Sequence, residues 1–274
     1  RAAAEDVNIV VPLPVGITTS TESVGQGLLT FIEAQVALGV NRIGIVGTDA
    51  GDAADPGELV QQYPSKRIMH AYPNRMLYYV GQANRTIEVS GYYLAAAYAG
   101  RMASLGVQEP LTRKTIRGFS GIAADVLAGM TRATKNAWSA LGVAVTEPNT
   151  SRALVVRHGK STDSTNTLTR EISITRARDA LVQLVHTSLE STGMIGSWID
   201  ESTLEYVQGV IDGTLNQAQD LSVIVGYDDI RVRQRPGDPS VIEVKFRYRP
   251  AYPLNYVVVV FSVNTETGSV EAVA

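Results

Sequence analysis

Cysteine is absent from the 274 residues, which removes disulfides, thiolate metal sites and cysteine nucleophiles from consideration. Histidine is nearly so. Only His70, His158 and His186 occur, with no H-E-x-x-H or comparable helical pair, so a histidine-built metal centre lacks its ligands. No apolar run approaches the roughly 20 residues that span a bilayer, and the opening RAAAEDVNIVVPLP lacks the basic-then-apolar layout of a secretion signal. The sequons at Asn84 and Asn149 are therefore read as chance matches. A large excess of charge of either sign is also missing: the formal net charge is −3 and the pI about 5.7, which argues against a chain whose main work is coating nucleic acid or an anionic membrane.

What remains is an ordinary globular composition, 45% hydrophobic and 19% charged, with enough length for one large domain or two smaller ones. The chain opens at Arg1 without a methionine, so the expectation is a piece of a longer protein. VNIVV, residues 7 to 11, reads as a buried strand stopped by Pro12 and Pro14. Val24, Leu28, Phe31, Ile32 and Val36 then recur at helical spacing, with Gly39 as the stop. RIGIVG follows as a second strand, completing a strand, helix, strand unit of the kind that builds a parallel sheet. KRIMHAYP and MLYYVG read as further strands, residues 90 to 106 as an alanine-rich helix suited to close packing, and about 122 to 141 as one long helix ended by Gly142. After VAVTEP and RALVVRHG, the polar run at 160 to 171 reads as an exposed connection and the domain boundary. Beyond it lie two amphipathic helices, the strand LSVIVG, a hairpin of DIRVRQR and VIEVKFRYR joined by PGDPS, and the apolar run NYVVVVFSV.

The chemistry on offer is sparse. GFSGIA, residues 118 to 123, resembles a nucleophile elbow, but Ile122 stands where G-x-S-x-G needs glycine. His158, at a strand end, is the one histidine in a position typical of α/β active sites. A hydrolase using Ser120 and His158 is thus the enzymatic alternative. Asp49, Asp52 and Asp55 follow a strand as a phosphate loop would, but without its lysine, and their charge repels phosphate. They read as a solvated acidic loop. On the hairpin, alternation puts Ile242, Val244, Phe246 and Tyr248 on one face and Lys245, Arg247 and Arg249 on the other, with Arg231, Arg233 and Arg235 repeating the pattern on the preceding strand. This basic ribbon suits an acidic partner surface. Nucleic acid is the third alternative, weakened by the lack of stacking aromatics among the charges.

Taken in order, RIGIVG, KRIMHAYPN, SGYYLAAAYAGRMAS, EPLTRKTIRGFSGI, LTREISITRARDALV and FRYRPAYPLNYVVVVFSV resemble the contractile tail sheath proteins of bacteriophages and related injection machines. The resemblance covers nearly the whole chain. It implies an α/β fold: a subtilisin-like α/β domain at 1 to 160 without the protease's catalytic residues, followed by an α+β C-terminal sheath domain at 161 to 274. It further implies a structural subunit, not an enzyme, with no cofactor and no metal. Such a subunit polymerises as a helical sleeve around an inner tube and contracts to drive that tube through a target envelope. The implied partners are further copies, the tail tube protein, and baseplate and tail terminator proteins, with no nucleic acid and no membrane insertion. The implied location is the virion tail, after assembly in the host cytoplasm. Arg176, Arg178 and Asp179 become candidate tube-facing residues. Asn255, Tyr256, Val257, Val258, Val259, Val260 and Phe261 become a candidate inter-subunit strand, with the leaning that Val257 to Val263 completes its own subunit's sheet and the tail from Asn264 reaches outward. Family members are usually longer, with an arm ahead of the first strand.

Overall fold

In a computed structural model, residues 7–17, 24–52, 54–255, 260–263 and 270–273 are described. The first half is organised by a five-stranded sheet. It contains β1 (Ile9–Val10), β2 (Ile43–Gly47), β3 (Ile68–Tyr72), β7 (Val143–Pro148) and β8 (Leu154–Val156), in the order β1-β2-β3-β7-β8. The first four are parallel and β8 is antiparallel to β7. β2 and β3 are buried along their whole length, as a parallel sheet covered on both faces requires.

Alternation sends the two sets of side chains to different cores. Val46 and Ile68 pack with Leu28, Leu29 and Ile32 of α1 (Val24–Ala37) and with Leu59 of α2 (Pro56–Val60) and Tyr63. Ile43, Ile45, Met69 and Ala71 pack instead with Leu94, Ala95, Tyr98 and Met102 of α3 (Gly91–Ala103). A Cβ on Gly47 would lie 2.1 Å from the Gly91 carbonyl oxygen, so the start of α3 sits directly on the end of β2. Helix α1 ends in a Schellman motif: Gly39 N donates to Val36 O at 2.9 Å, Val40 N donates to Gln35 O at 2.9 Å, and Gly39 takes φ +81°.

Several elements differ from the sequence reading. β4 (Arg75–Val80) pairs with β5 (Arg85–Ser90), a strand the apolar pattern does not show, and with the two-residue β6 (Gly121–Ile122). β5 is largely exposed, so it lacks the apolar run that marks a buried strand. The helix expected at 122 to 141 is two, α4 (Ala124–Gly129) and α5 (Arg132–Leu141). They break because Thr131 caps α5, its hydroxyl accepting from Thr134 N at 3.2 Å. The connection at 160 to 171 is not wholly exposed, since Lys160, Ser161, Thr162 and Glu171 are buried where the loop closes on itself.

The second half is a layer of two helices on a long ribbon. α6 (Ile172–Ser191) and α7 (Glu201–Asp220) cover β9 (Ile224–Arg235) and β10 (Asp238–Pro250). β9 merges what read as two strands, and the turn is Pro236–Gly237, with Gly237 at φ +85°. The inward row of Ile242, Val244, Phe246 and Tyr248 packs on the helices, as alternation predicts. Finally β11 (Val260–Val263) pairs antiparallel with β12 (Val270–Val273). Residues 270–273 thus pair back on residues 260–263, where the sequence reading had the tail from Asn264 reaching outward.

Candidate functional site

The hydrolase geometry does not assemble. Ser120 Oγ donates to the Leu77 carbonyl on β4 at 3.1 Å. His158 is buried past the end of β8, and burial, with Lys160 and Arg157 nearby, lowers its pKa to about 4. His70 is also buried, one ring nitrogen on Thr48 Oγ1 at 2.7 Å and the other on the Tyr63 hydroxyl, with its pKa lowered to about 3 by burial. His186, exposed on α6, lies 3.2 Å from Glu190.

The acidic loop is occupied by turn-making. Asp49 accepts from Gly51 N at 3.0 Å and Asp52 from Ala54 N at 2.7 Å. Asp55 caps α2 through Gly57 N at 2.7 Å and accepts from Trp138 Nε1 at 2.9 Å. Among the described residues no group of three or more acidic, histidine or cysteine side chains could hold a metal ion.

All three residues placed on the tube-facing helix are engaged within the chain. Arg176 reaches the end of α3, donating to Met102 O at 3.1 Å and to Leu105 O and Gly106 O at 3.5 Å. It adds a charged donor to carbonyls at and just past the helix C-terminus, where the helix dipole favours a cation. Asp179 forms a two-pronged pair with Arg67, at 2.5 and 2.8 Å, and Arg67 also reaches Asn41 Oδ1 and Arg42 O. The start of α6 is thereby stitched to the five-stranded sheet. Arg178, its side chain 37% exposed, lies 3.6 Å from the Asp179 carboxylate.

Of the proposed inter-subunit strand, Tyr256 to Val259 lie outside the described residues. Val260 and Phe261 belong to β11, opposite Val273 and Ala272 of β12. Asn255 does something else. Its side-chain nitrogen donates to Glu171 Oε1 at 2.7 Å, its oxygen accepts from Thr112 Oγ1 at 3.2 Å, and it hydrogen-bonds His158. Thr112 in turn accepts from Gly159 N at 3.1 Å. One residue therefore pins the segment leaving β10 to the loop between α3 and β6, the end of β8 and the residue that opens α6. Burial raises the pKa of Glu171 and lowers that of Lys160, and the two charges offset each other. No local pattern announces this node, because Asn255 stands 143 and 84 residues from Thr112 and Glu171. Only Glu171, a carboxylate directly ahead of an apolar helix, carried a readable signal.

The basic ribbon exists as drawn, but four of its cations share two carboxylates. Asp229 holds Arg231 at 2.6 Å and Arg247 at 3.1 Å, and Glu243 holds Arg233 at 2.8 Å and Lys245 at 3.1 Å. Asp229 reaches its position through a bulge: β9 places Asp229 and Ile230 opposite the single residue Phe246, and Asp229 takes φ +56°. Arg235 and Arg249 flank this network at the two ends of the exposed face.

Comparison with models of known protein families finds no match. Among curated proteins, the chain is 35% identical over 243 residues to the tail sheath protein of Mycobacterium phage Bxz1, covering 87% of this chain and 41% of that protein. It is 28% identical over 246 residues to the tail sheath protein of Bacillus phage SP01, covering 89% of this chain and 42% of that one. The chain thus spans about two fifths of the length of these relatives. Its fold is similar to that of the PVC sheath complex of an extracellular contractile injection system in the contracted state, with TM-score 0.66 at 14% identity over 96% of this chain and 72% of that one. The hydrolase alternative finds no support in any of these relatives. The chain belongs to the tail sheath protein family.

Proposed function

We propose that the protein is a structural subunit of a contractile sheath, polymerising as a helical sleeve around an inner tube and shortening to drive that tube through a target envelope. The observation that carries this reading is the 35% identity to a phage tail sheath protein across 87% of the chain. The partners in this reading are further copies of the chain, the tail tube protein, and baseplate and terminator proteins. Assembly takes place in the host cytoplasm and the product is the virion tail. Residues 1 to 160 act as the sheath's α/β domain and 161 to 274 as its C-terminal domain, where the two long outer edges of β9 and β10 offer unpaired backbone groups to neighbouring strands. Each such backbone hydrogen bond contributes about 1 kcal/mol net, which becomes large when repeated over many subunits. In this reading Arg178, the more exposed member of its pair with Asp179, is the residue of α6 that meets the tube.

Electron microscopy of the full-length protein tests the proposal. Sleeves or rods of uniform diameter are expected at micromolar concentration, and a species that stays globular at every concentration would sink it.

A further inference from the structure

The layer of α6, α7 and the ribbon has two outer faces of opposite charge. One is the ribbon face pointing away from the helices, which carries Arg231, Arg233, Arg235, Lys245, Arg247 and Arg249, all exposed. Asp229 and Glu243 neutralise part of it, and the ribbon as a whole has six cations against four carboxylates.

The other is the face of α7 pointing away from the ribbon. The helix buries Val207, Ile211, Thr214, Leu215 and Ala218 against β9, and its opposite side exposes Glu205 and Asp220, with Glu201 at the helix start, while Asp212 turns back to the ribbon and accepts from the Tyr227 hydroxyl at 2.7 Å. α7 has no lysine or arginine of its own to neutralise them. Between Glu205 and Asp220 lie Gly209 and Gly213, one turn apart on the same exposed side. A Cβ at either would meet nothing within 4 Å. Among the described residues nothing requires glycine there, and each costs the helix roughly 0.5–1 kcal/mol relative to alanine. Together they leave a shallow notch with acidic flanks. The dimensions are commensurate: Glu205 to Asp220 spans about 22 Å along a helix, and Arg235 to the level of Arg249 about 30 Å along a strand.

We propose that these faces bind each other between copies, the arginine face of one subunit's ribbon seating on the notched acidic face of the next subunit's α7. Because the two patches lie on opposite sides of one layer, the contact is head-to-tail. It cannot close within a pair and propagates from copy to copy, as a sleeve built from rings or a helix requires. This rests on the sheath reading and adds to it a second, side-chain-mediated contact distinct from strand addition at the ribbon edges.

The test uses the full-length protein and its critical concentration for polymerisation. Reversing α7 alone (Glu205→Lys with Asp220→Lys) is expected to raise that concentration at least tenfold, and so is reversing the ribbon alone (Arg235→Glu with Arg249→Glu). Combining the two sets should bring it back to within about threefold of wild type. Filling the notch with Gly209→Leu and Gly213→Leu should raise it too, while the melting temperature of the unassembled chain stays level or rises. Either reversal leaving the critical concentration unchanged, or a combination no better than the worse single set, overturns the interface. So does a ribbon reversal that abolishes low-salt binding to a short DNA duplex yet leaves polymerisation intact, which would make the ribbon a nucleic-acid surface. A wild-type protein that never polymerises would instead count against the sheath reading.

Discussion

His70 and His158 each show what a buried imidazole does to a fold. Burial holds the first near pKa 3 and the second near 4, while an unfolded chain protonates histidine near 6.5. As pH falls through 6.5 the unfolded chain takes up protons that the folded chain refuses, so stability is complete above that pH and declines below it, down to about 3 or 4. Once the pH is well below 6.5, each histidine should contribute a slope of about 1.4 kcal/mol per pH unit. Denaturant unfolding of the chain between pH 7 and pH 5 measures it. His158→Asn should remove roughly half of the slope, and a flat wild-type profile would show that neither ring is buried neutral. The sequence could place both histidines on strands but could not reveal their partners. Thr48 and Tyr63 flank His70 from two different connections, and Asn255 reaches His158 from the far end of the ribbon.

At the scale of elements, the strands legible in the sequence are the ones buried on both faces, such as β2 and β3, where continuous apolar runs leave little choice. β5 was not legible because an exposed edge strand needs no such run. The break between α4 and α5 was missed because helical periodicity carries across Thr131, whose capping hydroxyl outweighs it. The helix stops, by contrast, were plain in two glycines. Gly39 and Gly142 both take positive φ, +81° and +101°. They should differ in how they tolerate alanine. At Gly39 a Cβ meets nothing, so Gly39→Ala should cost only the backbone strain, about 1 kcal/mol. At Gly142 a Cβ would lie 2.6 Å from the Ser161 carbonyl oxygen, so Gly142→Ala must also displace the 160 to 171 loop and should cost at least twice as much. Equal losses in thermal melts of the two variants would contradict the packing at Ser161.

Across the whole molecule, α6 is the shared part. Ile172 in its first turn belongs to the core of the five-stranded sheet, and Ala177 and Leu181 belong to the core of the ribbon layer. The Arg67–Asp179 pair, with side chains only 7% and 14% exposed, fastens the junction. Removing one member of a buried pair strands the other, so Asp179→Ala should lower stability by about 3–5 kcal/mol. It should also split a single unfolding transition into two, the ribbon layer melting ahead of the sheet. Calorimetry that still shows one transition, merely shifted, would mean that the rest of the junction is sufficient. Helical periodicity predicted α6 itself, while the resemblance offered Arg176 and Asp179 as tube-facing, because neither a helix pattern nor an ordered set of motifs says what lies against the helix's charged side.

A helix of 20 residues, about 30 Å long, fixed near its start by Asn255 through Glu171, by Arg176 and by Asp179, and carrying the ribbon along its remaining length, is mechanically a shaft set in a socket. Torque applied to the ribbon by a neighbour passes along that shaft into the sheet without meeting a hinge. In the sleeve proposed above, such parts would turn past one another as whole pieces, each keeping its internal shape.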